Sequence, residues 1–110
     1  MAYPKGQVVL VPFPFTDLST TKVRPAVVVS TASYEQATGS LILAMLTSKA
    51  YTTPHDYQLS DWQHANLVKP TWVRSKLATV DPQLVVHTIG QLSSSDLQEV
   101  EARLKLSLDL

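Results

Sequence analysis

Arg24 stands directly before Pro25 at the head of a run of alanine and valines, in the stretch KVRPAVVVS at 22–30. A proline biases the residue before it toward extended backbone, so this guanidinium is held at the entrance to a strand. Thr47 and Ser48 close a second apolar run, LILAMLTS at 41–48. Arg74 and Lys76 flank Ser75 between two further apolar stretches. The guanidinium fork matches the geometry of a phosphate. A hydroxyl fixed at the end of a buried strand can donate to the same oxyanion. By composition these residues read first as solvated strand ends, and anion binding is the competing reading that the guanidinium fork and the strand-end hydroxyls keep open.

Other chemistry has little to build on. The sequence has no H-x-x-x-H, H-E-x-x-H or C-x-x-C pattern and no run of carboxylates. It has no cysteine, which excludes disulfides and thiolate metal sites. Three glycines are too few for a phosphate-cradling loop or a dinucleotide fingerprint. His55, His64 and His87 are scattered. His87 alternates with Val85 and Ile89 and reads as a sheet histidine. His64 falls in a short helical pattern, and His55 follows Pro54 in a loop. No metal and no cofactor is expected.

The elements that must position the anion-binding groups are mostly strands. QVVLVPF (7–13) reads as the first, ended by Pro12 and Pro14 because proline cannot donate to a ladder. TDLSTTKVR (16–24) reads as a loop. PAVVVST (25–31) and LILAMLTS (41–48) are apolar on both faces and read as buried strands. One helical turn is expected at 33–38, stopped by Gly39. The stretch 51–60 reads as a loop running into a short strand, and DWQHANL (61–67) as a short helix. TWVRS (71–75), ATVD (78–81) and LVVHTIGQL (84–92) complete the strands. Ser95 with Gln98 fits a capping box, and Leu97, Val100, Leu104 and Leu108 lay one apolar face on the helix that follows. Many strands with one terminal helix and no βαβ alternation predict a compact antiparallel sheet or small barrel.

A chain of 110 residues is one domain by size and long enough to bury a core unaided. No apolar run approaches the roughly 20 residues of a membrane helix, and the amino-terminal stretch is too short and interrupted for a signal peptide. A cytoplasmic location is expected. The formal charge is zero. Its distribution is uneven: the first 92 residues hold seven bases and five acids, whereas four of the remaining six charges are acidic. The body of the domain therefore carries modest positive potential.

GQVVLVPFPFTDLSTTKVRPAVVVS, LILAMLTS, VRSKLATVD and IGQLSSSDLQEVEARLKLSL, in that order, resemble the MazF/PemK family of toxin ribonucleases from toxin–antitoxin pairs. The resemblance covers nearly the whole chain. It implies a mainly β, SH3-like small barrel with a C-terminal helix, working as a homodimer. It implies metal-independent cleavage of single-stranded RNA. The family motif places functional residues at Arg24 and Thr47. The family commonly carries an acid after its first glycine, where this chain has Gln7. Ser48, Thr16 and Gln7 are second-rank substrate contacts, and Arg74 and Lys76 extend the positive track. A toxin of this kind implies a cognate antitoxin, acidic and partly disordered, that folds as it binds. The alternative is a catalytically silent SH3-like module that binds a partner protein or RNA, since small barrels host many functions.

Overall fold

The computed structural model describes residues 3–12 and 22–110. Six strands form one antiparallel sheet: β1 Gln7–Pro12, β2 Val23–Val28, β3 Leu41–Thr47, β4 Tyr57–Gln58, β5 Trp72–Val80 and β6 His87–Gln91. Their order is β4-β5-β3-β2-β1-β6, and the sheet curls into a half-barrel. Two helices complete the fold, α1 Ala32–Thr38 between β2 and β3, and α2 Ser94–Leu108 at the C-terminus.

Both faces of the central strands are buried, as their unbroken apolar runs require. One face carries Val8, Val27, Ala44, Leu46 and Val73, packed with Leu59, Ala65, Leu92 and Val100 of α2. The other carries Val9, Val11, Ala26, Val28, Leu41 and Leu43. The alternation of β1 explains the division, since Val8 falls on one side and Val9 and Val11 on the other.

The C-terminal helix begins earlier than a capping box at Ser95 predicts. Ser93 is the N-cap and its hydroxyl accepts from the Asp96 N–H. Leu97 and Leu104 pack against the first core face and Val100 is buried in it, whereas Leu108 is exposed. The expected pair of strands at 71–75 and 78–81 is one nine-residue strand, β5. Its polar middle is absorbed by a bulge: Leu46 pairs Val73 and Ala44 pairs Leu77, so Arg74, Ser75 and Lys76 face Met45 alone. Residues 84–86 lie outside β6; a 3-10 turn at Pro82–Leu84 precedes it instead.

The helix expected at 61–67 is a series of turns. The His64 N–H donates to the Asp61 carbonyl and the Asn66 N–H to the Gln63 carbonyl. Asn66 then adopts a left-handed φ of 63°, which a helix cannot continue through. Its side-chain amide donates to the Ile89 carbonyl at 3.0 Å. Ile89 is the extra residue where β6 bulges against β1, between the pairs Val8–Gly90 and Val9–Thr88. Gly90 is required beside it: a Cβ there would lie 2.4 Å from the Ala65 carbonyl oxygen. These turns thus bridge from β4 to the outer edge of β6.

Candidate active site

Arg24 lies within β2 rather than before it, because residues 23–25 still pair with β1, Val11 opposite Arg24 and Leu10 opposite Pro25. On the other side the ladder is shorter. Pairs between β2 and β3 run from Val28–Leu43 to Ala26–Met45 and stop there. Pro25 has no N–H to continue it. The two strands therefore part at the proline, and a cleft of about 550 Å³ opens between their ends. β2 contributes Arg24 and Pro25 to its lining, β3 and the residue after it contribute Met45 through Ser48, and the segment before β5 supplies the wall of Leu67, Val68, Lys69 and Thr71.

The register explains why Arg24 and Thr47 meet. Ala26 stands opposite Met45, and one pleat further on Arg24 stands opposite Thr47 on the same face. The Thr47 side-chain oxygen accepts from the Lys49 N–H at 3.2 Å, which fixes its direction as the chain turns out of β3. Its hydroxyl proton remains for donation. The described lining holds a guanidinium, an ammonium and three hydroxyls, and neither a carboxylate nor an imidazole. Such a set attracts and orients an oxyanion.

Of the other described candidates, Ser48 lines the cleft, whereas Gln7, Arg74 and Lys76 do not. Gln7 is at the opposite end of β1 from Val11, the residue that pairs Arg24. Its side-chain oxygen is buried with no hydrogen-bond partner among the described residues. Arg74 is engaged away from the cleft. Its Nε donates to Asp56 Oδ1 at 3.0 Å, and its guanidinium lies 3.7 Å from the centre of the Tyr51 ring. Burial acts to raise the Asp56 carboxyl, but hydrogen bonds from Thr53 and Arg74 outweigh it and hold the group below the usual range. Lys76 is exposed on β5 outside the cleft, and Thr16 lies outside the described residues. Sequence reasoning missed Lys69 and Thr71. They sit in a segment that reads as a passage between elements, and nothing in their local pattern says that it folds back over β3.

Behind that wall is a second cluster the sequence did not announce. Asp96 is fully buried. Its Oδ1 accepts from the Tyr57 hydroxyl at 2.6 Å, the Ser60 hydroxyl at 2.9 Å and the Ser60 N–H at 3.1 Å. Its Oδ2 accepts from the Asp61 N–H at 2.9 Å. Burial by itself raises a carboxyl's pKa; these donors outweigh it and keep Asp96 below the ordinary value of 3.8. Burial and the neighbouring carboxylate push the Tyr57 phenol above 10.0. Asp61 in turn accepts from the Ser93 and Ser95 hydroxyls.

A curled antiparallel sheet with a C-terminal helix, opened at one strand fork into a basic, hydroxyl-lined cleft, defines a small β-barrel protein. The chain belongs to the PemK-like, MazF-like toxins of type II toxin–antitoxin systems, whose family model matches residues 4–108. Its fold is similar to an endoribonuclease from a mycobacterial species solved with its cognate antitoxin, at 18% identity and a TM-score of 0.81, covering 99% of this chain and 97% of that one. It is also similar to MazF of Deinococcus radiodurans, at 22% identity and a TM-score of 0.79, covering 100% and 99%. The Mycobacterium tuberculosis toxin MazF-mt6 superposes with a TM-score of 0.77 at 14% identity, covering 94% and 97%. Comparison with curated proteins gives no match.

Proposed function

We propose that this toxin is an endoribonuclease that cuts single-stranded RNA without a metal, by attack of a ribose 2′-hydroxyl on the adjacent phosphorus. The observation that carries the reading is the junction of Arg24, Thr47 and Ser48 at one cleft, where β2 and β3 part. Family membership and the endoribonuclease activity named for two of the similar folds support it.

In the reaction the O2′–P bond forms and the P–O5′ bond breaks. The O2′ proton leaves to a base and the departing O5′ takes up a proton. Negative charge gathers on the nonbridging oxygens as phosphorus becomes five-coordinate. Donors already in place stabilise that charge without reorganising. Arg24 supplies the fork and Thr47 a neutral donor. A guanidinium with a pKa above about 12 is a poor base, so Arg24 stabilises charge and serves the leaving oxygen as proton donor. The toxin works as a homodimer and is held off by an acidic antitoxin segment that competes for the same cleft. Complexes with an antitoxin are known for the similar mycobacterial and Deinococcus folds.

The test is to incubate the pure protein with a long RNA in excess EDTA and to map the ends. Cleavage that persists, leaving a 2′,3′-cyclic phosphate and a 5′-hydroxyl, is the expected result. Ends bearing a 5′-phosphate, or cleavage abolished by the chelator, would refute the mechanism.

A further inference from the structure

We infer that Lys69 holds the RNA phosphate next to the scissile one, and that the buried Asp96 positions it through the hairpin between β4 and β5; the inference rests on the RNA-cleaving reading above.

Two of the seven prolines follow a cation, at Arg24–Pro25 and Lys69–Pro70. Both cations line the same cleft, one from β2 and one from the segment before β5. The proline restricts each cationic residue to extended backbone. At Lys69 the restraint is doubled, since its carbonyl accepts from the Thr71 hydroxyl at 2.9 Å. Lys69 is exposed, and among the described residues no acid forms an ion pair with it. Beside it Val68 is 89% exposed, an apolar surface left open at the cleft mouth. Phosphates recur along an RNA strand with a base between them. A cleft lined by two cations from different elements and by exposed apolar surface fits one such step. The guanidinium suits the phosphate where charge develops, and the ammonium serves as a point charge on its neighbour.

The wall is a hairpin loop with an anchored base. The Leu59 N–H donates to the Thr71 carbonyl at 2.9 Å and closes it. Asp96 collects the Ser60 and Asp61 N–H groups and the Tyr57 hydroxyl at its root. Asn66 ties its tip to β6. The loop therefore moves with α2, and a loosened root displaces Lys69 relative to Arg24.

The experiment uses the intact protein and a short RNA containing a mapped cut site. Binding is measured on the same oligonucleotide with a 2′-O-methyl group at the scissile nucleotide, across a salt series. Lys69→Ala is expected to weaken binding about tenfold at low salt, the scale of one charged hydrogen bond. It should also flatten the plot of log affinity against log salt by about 0.7, the loss of one phosphate contact on a single strand. In cleavage, KM should rise about tenfold with kcat within about threefold, and Lys69→Arg should restore both. Tyr57→Phe, which removes one bond from the root, should raise KM in the wild type and add nothing in Lys69→Ala. An unchanged salt slope in Lys69→Ala overturns the phosphate contact. Additive effects of the two substitutions overturn the role of Asp96. A wild-type protein that leaves RNA intact overturns the RNA-cleaving reading itself, an outcome distinct from both.

Discussion

Arg24 and Thr47 differ in what their loss should cost. Arg24 brings a full charge and a two-pronged donor to the cleft, whereas Thr47 brings one neutral hydroxyl. Removing a preorganised donor to a developing charge costs about 10²-fold or more in rate. Arg24→Ala should therefore lower cleavage by at least that factor. Arg24→Lys should recover only part, because an ammonium cannot engage two oxygens in a plane. Thr47→Val should cost less than Arg24→Ala. Single-turnover cleavage by folded variants, checked by circular dichroism, reads these effects; full activity in Arg24→Ala would remove it from the reaction. Arg74 has its charge matched to a buried carboxylate and its face to a tyrosine ring, so the side chain holds the 51–56 loop against β5.

At the scale of elements, the contact of α2 with the root of the β4–β5 hairpin centres on the Asp96 carboxylate, which accepts from the Tyr57 phenol, the Ser60 hydroxyl and the Ser60 and Asp61 N–H groups. The folded Asp96 carboxyl has a lowered pKa, so its contribution is complete above about pH 4, the unfolded value. It is lost as the pH falls through the folded value. The folded Tyr57 phenol has a raised pKa, so its contribution is complete below about pH 10 and is lost as the pH climbs through the folded value. Denaturant unfolding of the wild type and Tyr57→Phe should thus differ most on the plateau between these limits, by about 1–3 kcal/mol for a hydrogen bond to a charged acceptor. The difference should shrink toward about pH 3 and above about pH 10. A gap that stays constant across the whole range would show that the hydroxyl contributes packing alone. Asp96 also occupies the N3 position of α2, where an acid ordinarily reaches back to its own N-cap. Here it serves a neighbouring segment, and Ser93 caps the helix from its side alone.

At the scale of the molecule, apolar surface remains uncovered near the end of β1. Val23 is 48% exposed, Leu84 45% and Val86 64%. Pro12 pairs Val23, and the Val86 N–H donates to the Leu10 carbonyl, so two of these side chains flank the same strand end. Exposed apolar side chains gathered near one strand end suit an interface, and a two-fold dimer is the commonest way to close one. Light scattering at micromolar concentration should report a dimer. Val86→Asp should shift it toward monomer, because a carboxylate enters an apolar contact without a partner. A wild-type monomer at that concentration would count against the dimer. Arg24 adjoins Val23, so dimer formation would bring a second copy close to the cleft and place control of assembly beside the chemistry.

The sequence by itself determined the central strands β1, β2 and β3 and their burial. Continuous valine and leucine runs cannot be left in water, and Val8, Val27, Ala44 and Leu43 are all buried as those runs demand. It also placed a cation and a hydroxyl at strand ends, since Arg-Pro and Thr-Ser are local signals that need no fold to be read. Tertiary structure alone decided which ends meet. Strand register is a long-range choice, and only the pairing of Ala26 with Met45 sets Arg24 across from Thr47 and leaves Gln7 at the other end of β1. The turns at 61–67 read as a short helix in sequence because Ser60 or Asp61 offers an N-cap just before them. Asn66 breaks that pattern by a left-handed backbone, which the Ile89 carbonyl stabilises through a hydrogen bond. Lys69 and Asp96 were invisible for the same reason: each acts with partners far away along the chain, in elements whose positions only the folded molecule defines.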